Sequence, residues 1–424
     1  MDRVRRGTDV NPAGPHRYPH RVTRAAHPIK KAWLSTTGDT GAQNYDEFAN
    51  DAEITDIITS NPASALAVEM PHLTPEALAA GLSFEQALPQ AAERLSALQA
   101  AGRYTGHDDV VVVYRISDAD DAHAAYGLWC LVDTDQISAT ADEPGLVIRN
   151  EDVFIEKVRQ RAALTAELGN LLSPVLLMQT GSGKELHAAL AELAAALGDP
   201  AAVDVDPAGR RHEIWPVTGP AADAILDLAA GGDLIVADGN HRSLAAQIGE
   251  LPRFLAVVTT PESVAIQPYH RLIAKLPVPL TDLFNALHGG GVDVVEVEGP
   301  PAVPAVGGPV RLYADGRSFD VTLPTGDGSV VDQLDHALVE RLVLRGALNL
   351  DPGDKRVTYV GGDYPPSWLA GEVDAGRADV AVLIAPVTVE DFIAVNLDRL
   401  KMPRKSTWFT PKARAGLVLA QLEN

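Results

Sequence analysis

Residues 234–246 read LIVADGNHRSLAA, and both the fold and the chemistry turn on this stretch. "LIVA" is short, continuous and apolar, as expected of a strand buried on both faces. Asp238-Gly239 interrupts it, and an alanine-rich helical pattern follows. Gly239 permits backbone angles closed to other residues and lets a ligand approach the main chain. A helix beginning here starts with amide N–H groups that have no intrahelical acceptor. Those amides, with the positive end of the helix dipole, suit an anion. Asn240 and Ser243 add polar groups at the same turn. Arg242 adds a forked donor for phosphate or carboxylate. His241 can donate, ligate a metal or carry a proton near neutral pH. Asp238 can hold a metal ion or accept a proton from a hydroxyl. A plainer reading stands beside this one: Asp-Gly is an ordinary turn, with Asp238 capping the helix and Arg242 pairing with it.

Strand and helix patterns alternate on both sides of this unit. Before it, "DDVVVVYRIS" and "AAYGLWCLVDT" read as a hairpin, "EDVFIEKVRQRAALTAELGNLL" as an amphipathic helix and "SPVLLMQT" as a buried strand. "ASALAVEM", ending in Glu69-Met70, reads as a strand. Residues 74–101 read as a helix, with Thr74 as N-cap and Pro75 in the first turn. After the unit, "RFLAVVTT" and "DVAVLIA" read as strands and "TVEDFIAVNLDRL" as a helix. The class expected is α/β or α+β with mixed sheets. With about 100–200 residues per domain, the organisation expected is a mobile leader over 1–26, an N-terminal α/β domain over 27–205, a central unit over 206–298 and a C-terminal α/β domain over 299–424. The Pro/Gly-rich "EGPPAVPAVGGPV" marks the last joint, and the final tail is expected to return to the site.

Composition narrows the partners. The apolar fraction of 46% and charged fraction of 22% are those of a globular chain with a core. A formal net charge of −22 argues against nucleic acid, whose binding is driven by Lys and Arg neutralising phosphates. The single cysteine, Cys130, has no disulfide partner and reads as a small core residue. No run approaches the ~18 unbroken apolar residues of a membrane helix. Early arginines without an apolar stretch after them are not a secretory signal. These readings together point to the cytoplasm.

Other polar clusters compete for attention. "QTGSGKE" (179–185) follows a strand and precedes a helix, as a P-loop does, but Met178 stands where the first glycine belongs and Glu185 where Ser or Thr would meet magnesium. It is read as a loop and helix start. His212, His241 and His270 could be imagined around a metal, although their spacing matches no zinc pattern. His270-Arg271 in "PYHRLI" reads as a second anion-binding pair. In the tail "MPRKSTWFTPK", Lys405, Ser406, Thr407 and Lys412 are candidates to meet phosphate oxygens. Trp408 and Phe409 could stack on a base or anchor the tail.

These motifs carry a resemblance. "DGNHR" is similar to the D-G-H-H-R signature of the prokaryotic domain-of-unknown-function family 1015. "PYHRLI" resembles its P-T-H-R-L-V motif, and "MPRKSTWFTPKARAGLV" its M-P-x-K-S-T-x-F-x-P-K…G-L-V ending. "NYDEF", "SNPASAL" and "VFIEKVRQRAAL" fall in the same order, so the resemblance spans roughly residues 30 to 422. Asn240 departs from the first His of the signature, and Asn44-Tyr45-Asp46 is what remains of the family's P-P-Y-D. The central unit also resembles the ParB/sulfiredoxin-like superfamily, in which a G-x-H-R motif after a strand binds nucleotide phosphates and free-serine kinases carry D-G-x-H-R. That likeness implies a ParB/sulfiredoxin-like core flanked by α/β domains. It implies that Asp238 assists a metal or the acceptor hydroxyl, and that His241 and Arg242 hold the transferring phosphate. Glu69 is the candidate for that group's catalytic glutamate.

The reading that follows is an enzyme: a phosphotransferase using ATP, ADP or pyrophosphate with Mg²⁺ on a small hydroxylated metabolite, a serine-like acceptor preferred. Catalysis there is mostly positioning and charge neutralisation. Asp238, His241 and Glu69 are the catalytic candidates, with Asp238 also the metal ligand. Gly239, Asn240, Arg242, Ser243, His270, Arg271, Lys405, Ser406 and Thr407 are the phosphate or nucleotide contacts. The partners expected are nucleotide and metabolite, with a homodimer allowed and neither nucleic acid nor membrane. Two alternatives remain open: a nucleotide-binding regulatory module without turnover, and a metal-dependent hydrolase using His241 and His270.

Overall fold

The computed structural model describes residues 24–119, 123–138 and 145–423. The apolar stretch forms the strand Leu234–Asp238, parallel to Val147–Ile148 on one side and antiparallel to Val175–Gln179 on the other. Leu234 and Val236 enter one hydrophobic cluster and Ile235 and Ala237 another, so the two-residue period of a strand fills both faces. Beyond Val175–Gln179 the sheet continues through Arg253–Thr259, Ala124–Asp133, Tyr104–Ser117, Ile29–Ser35 and Val418–Gln421. Among the described residues, thirteen strands share this mixed sheet, six share a second sheet and two form a small third one. Helices Gly183–Ala196 and Gly219–Ala229 cover one face, their Leu186, Leu190, Ile225 and Leu226 packed into the core. The molecule is mixed α/β, as its alternating patterns predict.

The sheets partition the chain differently from the sequence boundaries. The large sheet takes strands from all three expected domains, including the C-terminal Val418–Gln421 against Ile29–Ser35. Its partner, the six-stranded sheet, draws only on the segment from Asp293–Val297 through Val380–Leu383 and on Tyr269–Ile273. "EGPPAVPAVGGPV" is therefore no domain joint. It connects Asp293–Val297 to Val310–Ala314, two strands of the same sheet. A composition dip marks a loop, but only long-range strand pairing decides which body the loop belongs to. The leader expected over 1–26 lies, for residues 1–23, outside the described residues. Residues 24–27 are already part of the fold: Ala25 and Ala26 are buried, and Ala26–His27 pairs with Ala124–Asp133.

Two local expectations change. "ALAVE" is not a strand: Leu66–Glu69 is a short helix, with the Glu69 amide donating to the Ala65 carbonyl. All four of its residues are buried, so no alternation separates the two readings, and short apolar runs are ambiguous for that reason. The helix over 74–101 is two helices, Pro75–Ala80 and Phe84–Ala100. Thr74 caps the first, Gly81 ends it in the left-handed region at φ 65°, and Ser83 with Gln86 forms a capping box for the second.

Candidate active site

The turn after Leu234–Asp238 is shaped by two backbone features. Between Val236 and Asp238 the pairing with Leu177 and Leu176 skips one residue, a β-bulge that re-aims the end of the strand. Gly239 then takes φ 97°, and a Cβ there would lie 3.1 Å from Arg242 Nε and 3.2 Å from the Val175 Cα. Only glycine meets both demands without strain. The helix Asn240–Ile248 starts at once, its first internal bond running from the Ser243 amide to the Gly239 carbonyl. The amides of Asn240, His241 and Arg242 have no acceptor among the described residues. The expected anion-ready helix start is thus present, without a side-chain cap; Asp238 does not cap it.

Arg242 points neither into solvent nor into the pocket. Its guanidinium folds beneath Gly239 and donates to Asp238 Oδ2, to the Pro174 carbonyl and, at 3.2 Å, to Asn44 Oδ1. It positions Asp238 rather than meeting a phosphate directly. Asp238 Oδ1 lies 3.2 Å from Lys412 Nζ. His241 Nε2 accepts a bond from the Phe154 amide at 3.1 Å, which places the ring proton of the neutral form on Nδ1. Burial, with Lys405, Lys157 and Arg242 nearby, pushes its pKa down to about 4, Asp46 opposing. Asn240 donates to Asn150 Oδ1 at 2.5 Å, and Ser243 Oγ turns back onto the Asn240 carbonyl.

The cations that face the pocket come from the tail. Lys405, Thr407 and Lys412 line it together with Asp46, Glu151, Asp238, Gly239, Asn240, His241 and Tyr269. Lys405 adopts φ 53°, its amide donating to Glu151 Oε2 at 2.9 Å, and its Nζ lies 3.8 Å from Asp46 Oδ2. Lys412 Nζ sits 3.8 Å from the centre of the Trp408 ring. Trp408 and Phe409 are themselves buried, Phe409 packed on Phe392, so these aromatics anchor the tail. Burial disfavours charge on both lysines. Tyr269, Asp46 and Glu151 nevertheless hold Lys405 well above the ordinary lysine value, and Asp238, Glu47 and Asp46 raise Lys412. Burial would likewise raise Asp46, but Lys405, Lys412, Arg242 and Lys157 hold it far below the usual carboxylate range. Its Oδ1 is buried and has no partner among the described residues. The pocket is therefore an array of fixed opposite charges with unspent donors and one unspent carboxylate oxygen.

Several expected contacts fall elsewhere. Glu69 lines a different cavity, with Arg161 and Arg242; it is bonded by Ser173 at 2.8 Å, lies 3.6 Å from Arg161 and does not line this pocket. Arg271 is fully buried, donating to the Tyr269 and His270 carbonyls and resting 4.3 Å from the centre of the Tyr359 ring. His270 Nδ1 accepts from the Ile384 amide. Ser406 and Ser243 are buried away from the lining. The histidines do not converge: His212 bonds Tyr114 and Asp206, while His241 and His270 each take a main-chain amide. Both oxygens of Asp238 already face cations, and among the described residues no three His, Cys, Asp or Glu groups converge as metal ligands. A metal at Asp238 would have to displace Arg242 or Lys412 from its oxygens. Lys184 of the P-loop look-alike is exposed on the first turn of Gly183–Ala196. Asp46, Glu151, Asn150 and Tyr269 join the lining without having been site candidates from sequence. Asp46 lies in "NYDEF" and Tyr269 in "PYHRLI", both stretches that carry the family likeness; no motif marks Asn150 or Glu151.

Fold and site define a mixed α/β protein in which a bulged strand and a helix start present a pocket framed by lysines and carboxylates. The chain belongs to the family described as "Protein of unknown function (DUF1015)", whose profile matches residues 36–337. No curated protein matches it. Similar solved structures include a conserved hypothetical protein from Pyrococcus furiosus, at 12% identity and TM-score 0.37, covering 68% of this chain and 93% of that one. A free serine kinase in complex with AMP is similar at 12% identity and TM-score 0.36, covering 66% and 87%. SbnI with a C-terminal truncation, from Staphylococcus aureus, is similar at 11% identity and TM-score 0.37, covering 69% and 86%.

Proposed function

We propose that the pocket binds the phosphate chain of ATP, ADP or pyrophosphate and passes a phosphoryl group to the hydroxyl of a small, serine-like metabolite in the cytoplasm. The observation that carries this reading is the convergence of Lys405, Lys412 and the open amides of Asn240–Arg242 on one pocket that also holds the free oxygen of Asp46. In phosphoryl transfer the protein's work is to place the reactants and neutralise charge. The lysines and the helix start hold the non-bridging oxygens. Asp46, kept ionised by four cations, accepts the hydrogen bond of the acceptor hydroxyl and aims its oxygen. The acceptor O–P bond forms, the bridging P–O bond of the donor breaks, and the hydroxyl proton is lost late, to an oxygen of the transferred or departing phosphate. Asp238, Arg242 and His241 set the shape of the turn.

The test is a melting curve. Millimolar ATP, ADP or pyrophosphate, each with and without magnesium, is expected to raise the melting temperature, and Lys412→Met to abolish the rise. An unchanged melt with all three donors sinks the reading.

A further inference from the structure

Beside the pocket lies a second polar cleft, lined by Glu47, Arg210, His212, Asp363, Lys412 and Arg414 among others. Lys412 borders both spaces, while the adjacent residues Asp46 and Glu47 line one each. Whatever occupies the cleft is therefore next to the place where the phosphoryl group is held. We propose that this cleft seats the carboxylate of the phosphoryl acceptor, so that the substrate class is a small hydroxy acid. The inference rests on the phosphotransfer reading above.

The cleft carries unspent donors on a rigid frame. Arg414 is 8% exposed. Its Nε bonds Asp204 Oδ2 at 2.6 Å and one Nη bonds the Gly41 carbonyl at 3.2 Å, but Nη1 is buried without a partner. An unpaired donor on a buried guanidinium is costly, and an anion placed against it removes the cost. Arg210 uses Nε on Asp206 and Nη1 on Thr410 Oγ1, leaving Nη2 without a partner among the described residues. A chain of bonds with fixed direction holds these two arginines. The Arg414 amide donates to Tyr114 Oη at 3.2 Å, and Tyr114 donates to His212 Nδ1 at 2.6 Å. The Nε2–H of His212 then faces Asp206 Oδ2 at 3.3 Å. Burial keeps His212 neutral although Asp206 favours its charged form, and this matches the direction of the chain. Such a satisfied buried network fixes its members in place. One unpaired guanidinium nitrogen from each arginine, Arg414 Nη1 and Arg210 Nη2, beside a lysine suits an anionic carboxylate better than a neutral polyol.

Calorimetric titration with L-serine, D-glycerate, glycerol and ethanolamine tests this on the whole protein, with ADP present and absent. L-Serine and D-glycerate should bind; glycerol and ethanolamine, which lack the carboxylate, should bind at least about tenfold more weakly. Arg210→Gln should weaken L-serine and D-glycerate at least about tenfold and leave glycerol unchanged. Arg414→Lys, which keeps the charge but loses the unpaired Nη1, should do the same. Equal binding of glycerol and D-glycerate, no binding of either acid, or unaltered affinity in Arg210→Gln each overturns the proposal. A melt of the wild-type protein with ADP tells the two readings apart. A retained nucleotide shift with no acid binding removes the acceptor subsite alone. Acid binding without a nucleotide shift removes the phosphotransfer reading and leaves a carboxylate site.

Discussion

His241-Arg242 and His270-Arg271 are the same dipeptide in two settings. In both, a buried neutral histidine accepts a bond from a distant main-chain amide, Phe154 for one and Ile384 for the other. In both, the arginine turns inward onto carbonyl oxygens. The difference lies in the backbone. His241-Arg242 opens a helix, so three amides stay open beside the pocket, and Arg242 also grips Asp238, whose other oxygen sets Lys412. His270-Arg271 sits inside a strand paired on both sides, with Val357–Gly361 and Val380–Leu383, where the ladder consumes the amides. A guanidinium beside an imidazole is thus no anion site by composition; the element that carries it decides.

Substitutions at both pairs test this contrast. Arg242→Ala is expected to have the largest effect, a loss of about 3–5 kcal/mol, because it leaves a buried carboxylate short of a partner. Urea unfolding measures the loss, and phosphate affinity per folded molecule should fall with it. Arg271→Met should cost about 1–3 kcal/mol through carbonyls left without donors, with nucleotide affinity of the folded fraction intact. If affinity falls equally in both variants, the two pairs are not different in kind.

Lys412→Met should reduce phosphotransfer by about 10²–10³-fold, since removing one preorganised charge-stabilising donor has that effect, and it should cost stability as well, because buried Asp238 loses one of its two cations. Steady-state rates with an excess of nucleotide measure the fall in rate. Gly239→Ala should destabilise by about 1–3 kcal/mol, because a side chain at that φ is strained and its Cβ presses on Arg242 and Val175. Thermal melts report it, and a neutral outcome would mean that the turn is less constrained than its geometry implies.

The last test is of pH dependence. Burial holds His241 near a pKa of about 4, with nearby Lys405 in the same direction, and burial with Arg271 does the same for His270. Unfolded, each titrates near about 6.5. Between those values the unfolded chain binds more protons. The stability contributed by the neutral rings is therefore complete above about pH 6.5 and is lost as pH falls towards 4, at about 1.4 kcal/mol per unit for each ring. His270→Gln should remove one ring's share of that slope in urea melts. A slope that does not change would show that His270 is not held neutral.

The strand at 234–238, the turn at Gly239 and the helix after it were readable because each has a local cause. A continuous apolar run, a glycine and a helical period act within a few residues. The lysines of the tail were readable as candidates because aromatic residues and prolines promised an ordered segment. Asp46 was visible only as a family likeness in "NYDEF". Tyr269 sits in the likeness motif "PYHRLI", beside the pair read there as the anion site, and nothing near Glu151 sets it apart; the role of both depends on strands and loops that meet from distant parts of the chain. Glu69 misled because a four-residue buried helix and a buried strand carry the same apolar letters. Arg242 was placed at the right turn with the wrong partner, since the plainer reading, a pair with Asp238, is what its geometry shows.

From its residues alone this chain determines alternating strands and helices, a glycine-hinged helix start and a pool of basic and acidic groups beside it. Those follow from periodicity and backbone sterics, which act over short range. Tertiary structure decides which charges face one another. Residues 46, 151, 238, 405 and 412 share a pocket only after one sheet gathers strands from both ends of the chain. The energy of a buried charge depends on neighbours brought from hundreds of residues away, and no local pattern encodes them.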